Sequence, residues 1–295
     1  MTRVGLVLGA GGVTGEAFHR GVLAALRDVA SFDGKDAAVI VGTSAGSLVG
    51  ASLRCAGSAG AVRSDPAPPD EALTPWLDLR PLLAAARRPW TARAGVLATS
   101  LLPAGSRSTE TFVEPIRRRC GDEWPDRDLL VCAVRRRDGR RVVFGSREAP
   151  QIDVATAVAA SCAIPAYFRP VVHDGEAYVD GGVHSPTNAD VLADYALDIV
   201  VVSSPMSVAP RQPRAKLDLS VRLMWHRYLA VERRALERRG TVVLAIEPGG
   251  ETLRALGVNT LRAARVDHIE DLAHDATVAA LGRPEMAGRL ALLAA

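Results

Sequence analysis

Ala38-Val39-Ile40-Val41-Gly42-Thr43-Ser44-Ala45-Gly46 is an apolar run that closes on Gly-x-Ser-x-Gly and passes into small residues. It reads as a strand, a sharp turn and a helix, with Ser44 at the apex. A serine hydroxyl is a weak nucleophile, and a strained strand-to-helix turn lifts its oxygen out of the fold toward a substrate. Such a turn crowds its flanks, so only very small residues fit two positions to either side. Here they are Gly42 and Gly46. The following Ser47 to Leu53 can be helical, which places the positive end of a helix beside Ser44 and favours negative charge developing there.

Working back toward the N-terminus, Val4 to Leu8 reads as a buried strand. Gly9-Ala10-Gly11-Gly12-Val13-Thr14-Gly15 follows, and then a helix with Phe18, Val22, Leu26 and Val29 on its apolar face. A strand, a glycine loop and a helix make an anion site, because exposed amides meet a helix N-terminus. One use of such a loop is a dinucleotide site. A Gly-x-Gly-x-x-Gly frame from Gly9 fails at Thr14, however, and the frame ending at Gly15 fails at Ala10. That reading also needs an acid about twenty residues on, for which Asp33 and Asp36 are the candidates. The other use is to present amides to an oxyanion.

Further along, Gly57 to Gly60 and Ser64 to Asp70 are rich in breakers and read as exposed loop, followed by helix candidates at Leu77–Arg88 and Ala92–Leu101, a segment read as a lid or as surface helices. Ser108 is an expected N-cap for a helix through Phe112, Ile116 and Cys120. Leu129–Val134 and Arg141–Phe144, split by Asp138-Gly139, form a hairpin pattern. Ile152–Ala160 reads as a buried helix. Tyr178-Val179-Asp180-Gly181-Gly182 puts a carboxyl at the end of a short strand with two glycines behind it, and Leu197–Val202 is a core strand. Strands alternating with helices point to an α/β sheet with mostly parallel strands. From Ala215 the pattern is largely helical, with a strand at Val242–Ile246. On the helix spanning Val221–Arg239, Val221, Met224, Tyr228 and Leu229 are expected on one face, and Arg222, Glu232, Arg233, Glu237 and Arg238 on the other; packing on the core and lying on a membrane surface are both open to it.

Composition sets the outer bounds. The 295 residues are 48% hydrophobic but only 4% aromatic, so the core is built mainly from Val, Leu and Ala. The 36 basic and 33 acidic residues are dispersed, which argues against nucleic acid as a partner. Lysine occurs only at positions 35 and 216, an arginine bias read as compositional. Cys55, Cys120, Cys132 and Cys162 are widely spaced, so neither a metal site nor a disulfide framework is expected, and a reducing cytoplasm fits. The N-terminus is a poor signal peptide, and no apolar run approaches the ~20 residues that cross a bilayer, so membrane contact, if made, is peripheral.

Gly11-Gly12, Ser44 and Asp180-Gly181-Gly182 occur in the order that resembles the patatin-like phospholipase family, whose members carry an oxyanion glycine loop, a Gly-x-Ser-x-Gly elbow and an Asp-Gly-Gly or Asp-Gly-Ala motif. The flanks match too: His19-Arg20-Gly21-Val22-Leu23, Ala160-Ser161-Cys162-Ala163-Ile164-Pro165 and His184-Ser185-Pro186-Thr187-Asn188. The resemblance implies a three-layer α/β core at residues 1–205, with an insertion at about 58–105, and a mostly helical part at 206–295 packed on it. It further implies a cofactor-free serine acyl hydrolase acting on lipid or acyl-ester substrates. Ser44 would attack the carbonyl, Asp180 would take its proton, and the amides of Gly11, Gly12 and Val13 would hold the oxyanion; Gly9, Gly15, Gly42, Gly46, Gly181 and Gly182 shape the three loops. An ordinary Asp, with a pKa near ~3.9, is a poor base, so desolvation must raise it or a strong oxyanion site must assist. Two positions depart from the family: Thr14 stands where members often have Arg or Lys, and Ala10 where glycine is frequent. The rival readings are a Ser-Asp-His triad drawing on His184, His226, His268 or His274, a nucleotide-binding module, and a catalytically silent lipid-binding scaffold.

Overall fold

The computed structural model describes residues 2–55, 105–121, 123–208, 217–257, 260–261 and 266–294. The lid segment and its two helix candidates lie outside the described residues. In chain order the elements are β1 (Val4–Leu8), α1 (Gly12–Ala30), β2 (Val39–Thr43), α2 (Ala45–Cys55), α3 (Glu110–Cys120), β3 (Asp128–Arg135), β4 (Arg141–Phe144), α4 (Val154–Ser161), β5 (Val171–His173), β6 (Glu176–Asp180), β7 (Ile199–Ser203), α5 (Leu217–Glu237), β8 (Val242–Ile246), α6 (Gly250–Leu256), α7 (Val266–Leu281) and α8 (Ala287–Ala294).

The strands form one mixed sheet flanked by helices. β3, β2, β1, β7 and β8 run parallel, and β4, β6 and β5 add antiparallel pairs at the β3 side. The parallel strands are apolar without interruption because both faces are covered, and the period of two deals their side chains alternately to two cores. Leu6, Leu8, Ile40, Leu129, Val131, Ile199 and Val201 enter the core shared with α1, α2 and α4. Val7, Val39, Val41, Leu130, Val200 and Val202 enter the core that receives Leu229 and Leu236 of α5. The C-terminal residues belong to the same structure, since β8 pairs with β7 and α7 lies along α1.

The register of β3 explains why two remote loops meet. Cys132 pairs with both Thr43 of β2 and Val143 of β4, so β2 and β4 occupy opposite edges of β3. Ala133 pairs with both Val142 of β4 and Asp180 of β6, so β6 also lies opposite β4. β2 and β6 therefore share one edge of β3 and run toward each other, β2 ending at the level of Cys132 and β6 one residue further on. Ser44 and Asp180 stand at facing strand ends.

Two expectations need correction. Cys55 and Cys120 form a disulfide across 65 positions, joining the last residue of α2 to the last of α3. Wide spacing concealed it because tertiary packing alone brings two helix C-termini together, and these cysteines no longer support a reducing compartment. The face assignment of α5 is also wrong in part. Val221 and Met224 are exposed, whereas Arg222 and Glu232 are buried. Hydrogen bonding decides this rather than hydropathy: Arg222 donates to the carbonyls of Pro205 and Gly257, and Glu232 accepts from Thr187 and Ala189.

Candidate active site

The elbow is as tight as its sequence demands. Ser44 takes φ 52, a left-handed conformation uncommon for a residue with a side chain. A Cβ on Gly42 would lie 2.5 Å from Ser47 Cα, and one on Gly46 would run into the Leu8 carbonyl, so both flanks are closed to larger residues. The Ser44 amide donates to Ser161 Oγ at 2.9 Å, and that hydroxyl donates on to the Cys132 carbonyl at 2.6 Å. On the other side, the Ser44 carbonyl accepts from the Ser47 amide at 2.8 Å and from Ser47 Oγ at 2.6 Å. The apex is thus fastened to β3 and to α2, whose N-terminus begins at the next residue.

Asp180 closes β6 and is 5% exposed. Its amide donates to the Ala163 carbonyl, and its Oδ1 accepts from the Gly182 amide at 2.7 Å, which starts the 3-10 turn at Gly181–Val183. The Ser44 side chain stands close enough to the carboxyl to favour its charged form. Burial pushes its pKa up to about 6, against the opposing pull of the Ser44 hydroxyl and the Gly182 amide. Desolvation thus supplies the basicity that an ordinary Asp lacks.

The glycine loop is held at both ends and left open in the middle. The Gly9 amide donates to the Ser203 carbonyl, the Ala10 amide to Pro186, the Thr14 amide to Thr260 and the Gly15 amide to Gly11. Among the described residues, the amides of Gly11, Gly12 and Val13 form no hydrogen bond, as expected of donors at the start of a helix. Gly12 has φ 57, and a Cβ there would lie 2.6 Å from the Thr260 carbonyl oxygen. His19 was read in the sequence only as a motif flank. It is buried, with Nε2 2.8 Å from the Gly9 carbonyl and Nδ1 2.7 Å from Ser203 Oγ, and burial lowers its pKa to about 4. A neutral imidazole therefore ties the loop to β7.

The elbow and the glycine loop share one open cleft of about 480 Å³. Ser44, Gly12 and Val13 stand on one side, and Leu48, Phe112, Ile164 and Phe168 supply the apolar wall. Leu261 reaches the same cleft from the C-terminal part. Glu16 also borders it, paired with Arg20 at 2.6 Å, which in turn holds Glu270 of α7. The Cys162 thiol lines the cleft too, with its pKa raised by burial. Thr14 is buried, and its hydroxyl lies 3.4 Å from the Gly11 carbonyl, so it brings no cation to the loop.

None of the triad candidates lines this cleft. His226 pairs with Glu247, His274 with Asp28 and Asp275, and His268 is exposed; the His184 amide donates to the Gly181 carbonyl at the end of the 3-10 turn. Asp33 and Asp36, the acids the nucleotide reading requires, pair with Lys35 and Arg127. Among the described residues no cluster of His, Cys, Asp and Glu could hold a metal ion.

A hydroxyl on a strained strand-to-helix turn, facing a buried carboxyl at the end of a second strand, is a layout open to an α/β hydrolase. Within that class, the patatin-like phospholipase family matches residues 6–193, and the chain belongs to this family. Membership implies a lipid hydrolase or esterase. Among solved structures, VipD from Legionella pneumophila matches with a TM-score of 0.42 and 12% sequence identity, over 95% of this chain and 66% of that one. No curated protein sequence matches.

Proposed function

We propose that the protein is a serine-dependent hydrolase of lipid acyl esters that works through a Ser44–Asp180 dyad. The observation that carries this reading is the strained turn that puts Ser44 in an apolar cleft beside open amides, with the buried Asp180 carboxyl close enough to feel its hydroxyl. Ser44 Oγ attacks the ester carbonyl while Asp180 takes its proton, and the amides of Gly11, Gly12 and Val13 bind the oxyanion. Collapse of that intermediate expels the alcohol, which leaves with the proton from Asp180. Water then attacks the acyl-enzyme with Asp180 again as base, and the fatty acid departs as Ser44 recovers its proton. Each amide aimed at the oxyanion contributes about 2.7–4 kcal/mol in comparable sites. The N-termini of α1 and α2, which begin at Gly12 and Ala45, add a field of the same sign.

The cleft wall of Leu48, Phe112, Ile164 and Phe168 suits an acyl chain, while Thr14 offers nothing to a phosphate. Neutral acyl esters are therefore the preferred substrates, ahead of phospholipids. Contact with lipid is read as peripheral, and no described helix is long and apolar enough to cross a membrane. The exposed Val221, Met224 and Val231 alternate with Arg227 and Arg234 along α5, a pattern that fits an anionic lipid surface. The test is turnover of nitrophenyl esters of increasing chain length and of phospholipid vesicles by the wild-type protein and by Ser44→Ala. Wild-type hydrolysis that disappears in the variant supports the reading; no wild-type turnover in either panel overturns it.

A further inference from the structure

A run of buried hydrogen bonds links α5 to both halves of the dyad. Glu232 is 3% exposed and accepts from Thr187 Oγ1 at 2.5 Å and from the Ala189 amide at 2.9 Å. These two donors bracket Asn188, which is fully buried at φ 51, a conformation Asn tolerates better than most residues. Asn188 Nδ2 donates to Thr43 Oγ1 at 3.1 Å and to the Ser185 carbonyl at 2.6 Å, and lies 3.4 Å from the Gly181 carbonyl. Its Oδ1 accepts from Arg141 at 3.2 Å; a guanidinium only donates, so this contact fixes which way the amide faces. Thr43 precedes Ser44, and Gly181 follows Asp180. One side chain therefore touches both turns.

The sheet leaves a need for such a tie. β2 and β6 meet end to end on β3, so no ladder of hydrogen bonds runs between them, and β3 fixes only their levels. The gap between hydroxyl and carboxyl depends on how the two turns sit against each other. Proton transfer is sensitive to that gap, and a displacement of about 1 Å is enough to cost about a hundredfold in rate.

We propose that Asn188 is a positioning residue that sets the Ser44–Asp180 separation, and that Glu232 holds it by fastening Thr187 and Ala189. The inference rests on the dyad reading above and extends the machinery to a helix that carries none of the family motifs. None of the side chains in this network lies in the apolar wall of the cleft, so its loss acts on the chemical step and not on acyl binding.

The test uses the full-length protein, a soluble nitrophenyl ester, the rate of fluorophosphonate labelling and a thermal melt for each variant. Asn188→Ala is expected to lower kcat about a hundredfold with KM within about threefold, and to slow labelling in parallel. Asn188→Asp keeps the volume and the Arg141 contact but cannot donate, and is expected to lose as much. Thr43→Val removes the acceptor at the elbow and is expected to lose about tenfold. Glu232→Ala is expected to lower kcat, and Glu232→Gln to recover most of the loss, because its carbonyl accepts the same two bonds. If Asn188→Ala does not fold, Asn188→Asp and Thr43→Val carry the test. A folded Asn188→Asp with wild-type kcat, or a loss confined to KM, overturns the role of Asn188. A Glu232→Gln variant as impaired as Glu232→Ala overturns that of Glu232. A wild-type protein that neither turns over ester nor labels at Ser44 fails earlier, at the dyad itself, and takes this inference with it.

Discussion

Asp180 and Glu232 are both buried carboxyls whose pKa burial raises, yet the protein surrounds them differently. Glu232 sits inside the fold, accepting from the Thr187 hydroxyl and the Ala189 amide, with Asp190 nearby pushing its pKa higher still. Asp180 lies where two strand ends face each other, bonded to the Gly182 amide and close to a hydroxyl that borders the cleft. Glu232 has its bonds from the loop it holds. Asp180 has beside it the very group whose proton it would take in the proposed reaction. The difference separates a carboxyl that organises structure from one kept available for chemistry at a cost to stability.

The largest effects fall on the dyad. Ser44→Ala and Asp180→Asn are each expected to lower kcat about 10⁴-fold or more in ester turnover assays, as removal of a nucleophile or its base does elsewhere. Stability separates them further. A folded-state pKa of about 6 against 3.8 means the native state binds more protons than the unfolded chain between those values. The stability this carboxyl provides is full below about pH 3.8 and is lost as pH rises through about 6. At pH 8 the burial therefore costs about 3 kcal/mol, and Asp180→Asn is expected to melt at or above the wild-type temperature there while being inactive. A variant that melts well below wild type would remove the contrast with Glu232.

Next comes the oxyanion loop. Gly12→Ala forces a Cβ toward the Thr260 carbonyl at a left-handed backbone position and is expected to lower kcat by about 10²–10³-fold, the cost of losing a donor to the oxyanion. The pH profile follows. Because Asp180 acts ionised, kcat/KM is expected to fall about tenfold per unit below its pKa of about 6, and to be flat from there to neutral pH. A profile that turns near 4 would place Asp180 with ordinary carboxylates. The smallest effect on catalysis belongs to the Cys55–Cys120 bridge. Replacing both cysteines with serine is expected to cost about 2–4 kcal/mol in denaturant unfolding and to leave kcat within about twofold.

The parts of the site legible in the sequence are those set by local geometry. Gly42 and Gly46 are demanded by the crowding at Ser44, and Gly11 to Val13 by the amides a helix start leaves unpaired. Asp180 was legible as a carboxyl ending a strand. The parallel strands β1, β2, β3, β7 and β8 followed from uninterrupted apolar runs in a sheet covered on both faces, whereas β5, short and partly exposed, had no such signal. The supporting residues were not legible in the same way, because they act across the fold. Ser161 reaches Ser44 from 117 positions away, and His19 reaches Ser203 from 184. Hydropathy misplaced Arg222 and Glu232 because it weighs a charge without its partners. The disulfide was hidden for the same reason, since no local pattern links two helix ends 65 residues apart.

Fluorophosphonate labelling followed by mass mapping of the adduct, carried out across pH on wild type and Asp180→Asn, tests the central claim most directly. The account predicts one adduct, on Ser44, forming more slowly below about pH 6 and nearly absent in the variant. An adduct on another residue, no adduct at all, or an Asp180→Asn protein that labels at the wild-type rate would contradict it.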